Sequence, residues 1–101
     1  IKIDRPLGSA HPRHADLLYP VNYGYIPDTV SGDGEELDVY LLGIEIPVEA
    51  YTGKIIGIIH RLDDVEDKLV AAPEGLTFNR EEITNAVRFQ EQYYQTGVET
   101  L

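Results

Sequence analysis

The sequence contains no cysteine, methionine or tryptophan, and only 8 of its 101 residues are lysine or arginine. Without cysteine the chain has no disulfide and no thiol nucleophile, a composition that fits a reducing compartment. The formal net charge of −10 argues against nucleic acid or an anionic membrane as a partner, because both are bound through an excess of cations. No apolar run approaches the ~20 residues that span a bilayer, and no basic segment followed by an apolar stretch predicts a signal peptide.

The remaining composition is that of one globular domain. The chain is 101 residues long and 43% hydrophobic, which is enough for one modest core. We therefore expect a single domain over residues 1–101. Within residues 1–25, the breaks at Pro6, Gly8, Pro12 and Pro20 leave no room for a useful helix. Loops and short strands are expected there.

Three segments predict β-strands: residues 37–42, Lys54–Arg61 and Lys68–Ala72. Their apolar residues fall on both faces, which predicts burial on both sides, as in a small closed barrel with something packed outside it. The acidic loop over residues 63–67 joins the last two strands, so these strands are expected to form a hairpin.

One helix is predicted near the end of the chain, from about residue 80 to residue 96. Asn79 followed by Glu82 resembles a capping box, and Gly97 is a plausible stop. The helical repeat is carried by one stripe, formed by Ile83, Val87, Gln90 and Tyr94.

The acidic motif over residues 33–38 contains four carboxylates around one glycine, at the start of an apolar strand. Asp33 and Glu35 are two apart and share a face of an extended backbone, and a bend at Gly34 would bring Asp38 toward them. Converging carboxylates stay ionised most easily around a hard cation, and Mg²⁺ is the usual cation in phosphate chemistry. The alternative is a solvated acidic turn.

A second acidic group, Asp63, Asp64, Glu66 and Asp67, precedes Lys68. Two acidic turns at strand ends can face each other in a small barrel and share metal ions. The alternative is an exposed charged hairpin. Lys68 either binds a phosphate oxygen or offsets the local negative charge.

A tyrosine-rich segment, with Tyr19, Tyr23 and Tyr25, offers hydroxyls that donate to phosphate oxygens without adding charge. Core packing with the hydroxyl at the surface is the alternative. His11 and His14 are separated by a proline that breaks the helical spacing, so they are not predicted to bind metal.

The sequence lacks other common catalytic patterns. No serine lies in a glycine-flanked elbow, and no glycine-rich phosphate loop is present. The chemistry that remains is attack by water assisted by a bound cation.

Five segments in the same order resemble the family I soluble inorganic pyrophosphatases: residues 3–6, 19–27, 33–38, 68–73 and 89–93. The resemblance implies a mainly β (α+β) fold, a small OB-like five-stranded barrel with a C-terminal helix packed outside. It also implies Mg²⁺-dependent hydrolysis of diphosphate, a cytoplasmic location and assembly into homo-oligomers.

The resemblance also implies roles for individual residues. Phosphate-binding residues would be Arg5, Tyr23, Lys68 and Tyr93. Metal-binding residues would be Asp33, Glu35, Asp38, Asp63, Asp64 and Asp67. Catalytic residues would be Glu35, as proton acceptor from the attacking water, with Tyr23 and Asp38.

The sequence departs from the family pattern at several positions. Glu35 stands where the family has aspartate, Tyr94 stands where it has a basic residue, and the family's upstream strands have no counterpart before residue 1. Strand alternation puts Lys68 on one face with Glu66, whereas aligning Asp67 with the family aspartate displaces Lys68 from the lysine position. The two alignments exclude each other, and the sequence alone does not decide between them.

These departures leave two alternative functions. One is a module that keeps the barrel and binds metal and phosphate with little or no turnover. The other is a hydrolase of a different phosphoanhydride.

Overall fold

The computed structural model describes residues 1–32, 34–63 and 66–101. The described residues form one helix, α1 (Arg80–Glu91), and eight strands. The strands are β1 (Lys2–Arg5), β2 (Ala10–His11), β3 (His14–Leu18), β4 (Asn22–Ile26), β5 (Leu37–Leu41), β6 (Lys54–Arg61), β7 (Lys68–Ala72) and β8 (Thr96–Thr100).

Six strands form one sheet in the order β1-β4-β5-β7-β6-β8, and β2 and β3 form a separate two-stranded ribbon. Neighbouring strands are antiparallel except β5 and β7, which are parallel. The predicted mainly β fold with a C-terminal helix is confirmed, as is the β6–β7 hairpin. The main sheet has six strands rather than five, and within the described ranges its edge strands β1 and β8 do not pair with each other.

The sheet is covered on both faces, as the apolar pattern predicts. Val39 and Leu41 of β5 belong to one cluster, whereas Tyr40 and the following Leu42 belong to the other. This second cluster includes Ile83 and Val87 of α1, so it lies between sheet and helix. Alternation along β5 therefore puts Asp38 on the helix-covered face, together with Tyr40.

The start of α1 follows the prediction. Asn79 accepts a hydrogen bond from the Glu82 amide at 2.8 Å, and the Glu82 carboxylate accepts one from the Asn79 amide at 2.9 Å. This capping box satisfies two amides of the first turn, which otherwise lack helical partners.

The predicted end of the helix is wrong, because α1 ends at Glu91 and not near residue 96. The backbone turns away after the helix, where Tyr94 donates to the Glu91 carbonyl at 3.0 Å. Leu62 then donates to the Gln95 carbonyl at 2.8 Å, and residues 96–100 pair with β6. Pairing with the edge of β6 is therefore preferred over continuing α1 through residues 92–96, although the apolar spacing of these residues would also fit a helix.

One glycine is required by the close approach of β1 to β4. A Cβ on Gly24 would lie 1.9 Å from the Lys2 carbonyl oxygen. The pairing of β4 with β1, the strand that contains Arg5, therefore requires glycine at position 24. Within the described ranges, no helix is long and apolar enough to cross a membrane.

Candidate active site

A cavity of about 820 Å³ lies on the helix-covered face of the sheet. The charged side chains that line it among the described residues are Arg5, Arg13, Arg61, Lys68, Asp16, Asp38 and Glu66. Half of the eight lysines and arginines of the chain thus line one cavity, although the chain carries a net charge of −10. Against these four cations stand three carboxylates, so the described lining has a formal charge of about +1 in a chain of net charge −10, and an anion meets less repulsion there than elsewhere on the surface.

Lys68 forms the floor of this cavity. Strands β5 and β7 are parallel with Val39 opposite Leu69, so the preceding residues, Asp38 and Lys68, lie side by side. The Lys68 ammonium is 2.5 Å from Asp38 Oδ2 and 2.7 Å from Glu66 Oε1, and its side chain is only 5% exposed. Two carboxylates therefore hold one buried cation in place.

The charge state of Asp38 is set by these contacts. Burial raises the pKa of Asp38, but hydrogen bonding with Glu66 and Lys68 outweighs burial and lowers the pKa below its usual value. The carboxylate of Asp38 therefore stays ionised at neutral pH.

Tyr23 forms the wall between two cations. Its ring centroid lies 5.5 Å from the Arg5 guanidinium carbon and 5.9 Å from the Lys68 ammonium. Both distances suit attraction between a cation and the face of an aromatic ring. Burial, and then the negative charge of Asp38, raise the pKa of the Tyr23 hydroxyl, so this group remains a hydrogen-bond donor.

A buried chain of hydrogen bonds ties α1 to the sheet behind the cavity. Arg5 donates to the Tyr19 hydroxyl at 2.7 Å, which donates to Gln90 Oε1 at 2.8 Å. Gln90 Nε2 donates to the Tyr40 hydroxyl at 2.7 Å, which donates to Glu91 Oε2 at 2.5 Å. Arg5 is thereby positioned by contacts that reach the helix.

Glu91 also pairs with Arg61 of β6. Arg61 Nε donates to Glu91 Oε1 at 3.0 Å, and Arg61 Nη2 donates to Glu91 Oε2 at 2.6 Å. The Arg61 guanidinium carbon lies 3.7 Å from the centroid of the Tyr94 ring. Tyr94 stands where the family has a basic residue. Its ring packs instead against the guanidinium of Arg61 from β6.

Comparison with known proteins gives the family. The family model described as inorganic pyrophosphatase matches residues 3–97. The chain belongs to the inorganic pyrophosphatase family. An inorganic pyrophosphatase of Saccharolobus solfataricus is 38% identical over 81 residues, which are 76% of this chain and 44% of that protein. One of Nanoarchaeum equitans is 36% identical over 77 residues, which are 72% of this chain and 44% of that protein. The chain thus spans less than half the length of these pyrophosphatases.

Solved structures of inorganic pyrophosphatases have the same fold. The structure from Neisseria gonorrhoeae has a TM-score of 0.60 at 26% identity and covers 91% of this chain and 69% of that chain. The structure from Coxiella burnetii has a TM-score of 0.62 at 19% identity and covers 97% of this chain and 80% of that chain. The second similarity shows the fold alone.

The cavity brings together many of the predicted site residues. Five of them line it: Arg5, Tyr23, Asp38, Lys68 and Tyr93. Glu66 lies with them through its contact with Lys68, as strand alternation requires. This geometry favours the alignment that keeps Lys68 at the lysine position of the pyrophosphatase family.

Three other predicted residues lie outside the cavity lining. Glu35 is exposed and is not among the described residues that line the cavity. The Asp63 carboxylate accepts from the Gln95 amide at 3.3 Å, and Asp67 is 3.1 Å from the ring of His60. The predictions for Asp33 and Asp64 fall outside the described residues.

Three polar residues were missed from the sequence: Arg61 and Gln90, which line the cavity, and Glu91, which lies behind it. The available signal was the position of Gln90, a polar residue on the apolar stripe of the helix. A polar group at such a position has to find a buried hydrogen-bond partner. Nothing in the sequence pairs Glu91 with Arg61, 30 residues away.

Carboxylate oxygens are the ligands that Mg²⁺ prefers, so Asp38 and Glu66 suit this ion in kind. Both contact Lys68, which already offsets part of their charge. No group of three or more histidine, aspartate or glutamate side chains within residues 1–32, 34–63 and 66–101 is arranged to hold a metal ion. Asp38 and Glu66 are thus two neighbouring carboxylates of the kind that Mg²⁺ prefers, and the acidic residues Asp33 and Asp64 fall outside the described residues.

Proposed function

We propose that this chain hydrolyses inorganic diphosphate to two phosphates with the help of Mg²⁺. The observation that supports this most is the buried Lys68 ammonium at the floor of a cavity lined by four cations. A diphosphate ion is strongly repelled by an acidic protein unless cations surround its binding site. The cavity meets this condition in a chain of the pyrophosphatase family.

Arg5 and Lys68 would bind phosphate oxygens, and the Tyr23 hydroxyl, which is hydrogen-bonded to Asp38, would turn from that carboxylate to donate to phosphate. Because the pKa of this hydroxyl is raised, the group adds a donor and no negative charge. Tyr93, 70% exposed beside the cavity, would donate from the opposite side.

Asp38 and Glu66 would hold a cation at the cavity. The resemblance implies Asp33, Glu35, Asp63, Asp64 and Asp67 as further metal ligands, and of these Glu35, Asp63 and Asp67 would have to move toward the cavity to bind the same cation. A bound Mg²⁺ would lower the pKa of its water ligand and offset the negative charge of the phosphate groups. We assign Glu35 the role of accepting the proton of the water that attacks phosphorus, as the resemblance implies.

A cytoplasmic location and assembly into homo-oligomers are further proposals that the resemblance supports. Analytical ultracentrifugation over a range of protein concentrations tests the assembly, and a monomer at all concentrations contradicts it.

Release of free phosphate from diphosphate and Mg²⁺ tests the activity. We expect release by the unaltered protein and large losses in Asp38→Asn and Glu35→Ala. Arg88→Gln alters an exposed cation outside the cavity and serves as the control. Equal background release by all four proteins would refute the enzymatic function.

The second candidate function is a module that binds phosphate without turnover. The pairing of Asp38 and Glu66 with Lys68 favours it, because Lys68 already offsets the charge that a metal ion would otherwise have to offset. Calorimetric binding of phosphate by a protein that releases none from diphosphate would support this alternative.

A further inference from the structure

The hydrogen-bond chain behind the cavity has a direction, and this direction is fixed at Glu91. Both Glu91 carboxylate oxygens accept hydrogen bonds from Arg61. The hydrogen between Glu91 Oε2 and the Tyr40 hydroxyl, which are 2.5 Å apart, therefore comes from the tyrosine. Burial, and then the negative charge of Glu91, raise the pKa of the Tyr40 hydroxyl, so this group keeps its hydrogen. Toward any other neighbour, the Tyr40 oxygen can only accept.

The orientation of the Gln90 amide follows from that of Tyr40. Gln90 Nε2 donates to the Tyr40 oxygen at 2.7 Å, which places Gln90 Oε1 2.8 Å from the Tyr19 hydroxyl. If the amide were rotated, Tyr40 would face two acceptors, Gln90 Oε1 and Glu91 Oε2, with a single hydrogen to donate. One of the two contacts would then lack a hydrogen, so the observed orientation is the one that satisfies both.

The same constraint reaches Arg5. Tyr19 gives its hydrogen to Gln90 Oε1, so the lone pairs of the Tyr19 oxygen face Arg5, which donates from Nη1 at 2.7 Å. A guanidinium has donors and no acceptor, so a Tyr19 hydroxyl turned toward Arg5 could not bond to it. The acceptor that orients the Arg5 guanidinium therefore exists because Gln90 takes the hydrogen of Tyr19.

Aromatic rings surround this chain of contacts. Tyr19 and Tyr40 are fully buried, and the Phe89 ring centroid lies 5.2 Å from that of Tyr19 and 6.0 Å from that of Tyr40. In such apolar surroundings a hydrogen bond is stronger than in water, and each bond polarises the next. Gln90 lines the cavity, but its amide oxygen and nitrogen are both engaged by tyrosine hydroxyls. Its route to a bound ligand is therefore through Arg5.

We propose that Gln90 is a positioning residue, which holds the Arg5 guanidinium in the direction that binds diphosphate by taking the hydrogen of Tyr19. The inference rests on the proposed function only in taking diphosphate as the ligand. Glu91 and Tyr40 set the direction of the chain, although neither is among the described residues that line the cavity. Substitutions at Tyr40 should therefore change ligand affinity without altering a residue of the cavity lining.

Isothermal calorimetry with imidodiphosphate and Mg²⁺ measures this effect on the full chain. Gln90→Leu keeps the approximate size of the side chain and removes both hydrogen bonds, and it should weaken binding by about 3- to 10-fold. Tyr40→Phe should weaken binding in the same direction. Val87→Ala is the matched control, because Val87 is buried on the same helix and packs in the same apolar cluster. It should lower the melting temperature and change the affinity by less than about 2-fold.

A double-variant cycle with Arg5→Met separates positioning from a general structural effect. If Gln90 acts through Arg5, Gln90→Leu should change affinity by less than about 2-fold once Arg5 is methionine. Equal effects of Gln90→Leu with and without Arg5 would overturn the positioning role and leave the proposed function intact. No binding of imidodiphosphate by the unaltered protein would refute the proposed function as well.

A second measurement needs no ligand. Nitrogen NMR relaxation of the arginine Nε–H groups reports the mobility of Arg5, whose signal is assigned by its absence in Arg5→Met. Mobility of Arg5 should rise in Gln90→Leu and Tyr40→Phe and stay unchanged in Val87→Ala. Unchanged mobility of Arg5 in Gln90→Leu would overturn the proposal, whatever the affinities are.

Discussion

Replacing Glu91 by glutamine should severely destabilise the fold. The Glu91 carboxylate accepts two hydrogen bonds from Arg61 and one from Tyr40, and the Glu91 and Arg61 side chains are only 4% and 5% exposed. Glutamine keeps the shape but removes the negative charge that Glu91 places against the buried guanidinium of Arg61. Removing one partner of a buried pair costs about 3–5 kcal/mol. We expect about 3 kcal/mol here, because the amide oxygen still accepts one bond.

The expected loss is large for a domain of this size. With about 4–8 °C per kcal/mol, a loss of about 3 kcal/mol lowers the melting temperature by about 12–24 °C. Urea denaturation followed by circular dichroism measures the free energy of unfolding directly. Glu81→Gln, an exposed change in the first turn of the same helix, is the matched control and should stay within about 0.5 kcal/mol.

A double variant separates the buried charge from other causes. Arg61→Met combined with Glu91→Gln removes both charges and leaves an amide oxygen to accept from Tyr40. We expect the double variant to be more stable than Glu91→Gln alone, because it removes the Arg61 guanidinium together with the Glu91 charge that pairs with it. A cost below about 1 kcal/mol for Glu91→Gln, or double-variant losses equal to the sum of the single losses, would refute this account.

Three further variants test the fold and the site. Lys68→Met should lower kcat/KM for diphosphate by at least about 100-fold, since it removes the cation nearest the substrate, and a loss below about threefold in a phosphate-release assay would contradict this. Gly24→Ala should cost about 3 kcal/mol or more in urea denaturation, because its Cβ meets the Lys2 carbonyl oxygen, and an unchanged midpoint would contradict the close approach. His60 contacts two carboxylates that raise its pKa, so its stabilising effect is full below about pH 6.5 and is lost as pH rises through the raised pKa. Melting temperatures of the protein and of His60→Gln should therefore converge at high pH, and parallel pH profiles would contradict the contact.

The strands could be predicted because their information is local. Lys54–Arg61 and Lys68–Ala72 are apolar on both faces and lie in the sheet as expected. The direct contact of Asp38 with Lys68 was not predictable in the same way, although both residues were singled out. It depends on the parallel pairing of β5 with β7, which brings together residues 30 positions apart.

The end of α1 shows where local information fails. Residues 92–96 continue the apolar spacing of the helix, yet they turn toward Leu62 and the β6 edge. The competing partner is a strand edge formed more than 30 residues earlier in the chain, so no local pattern contains it. The Arg61–Glu91 pair was missed for the same reason, since its two residues belong to a strand and a helix that meet only in the folded protein.

The separation of charge in this molecule has a kinetic consequence. Four cations and three carboxylates line one cavity, so the described lining is nearly neutral and the rest of the chain carries essentially all of the net charge of −10. A polyanionic substrate is repelled while it diffuses toward the protein and attracted once it enters the cavity. Salt screens exposed charges beyond about 10 Å at 0.1 M and buried contacts much less. Moderate salt should therefore accelerate capture of the substrate before it weakens binding, the opposite of what a basic phosphate-binding protein shows.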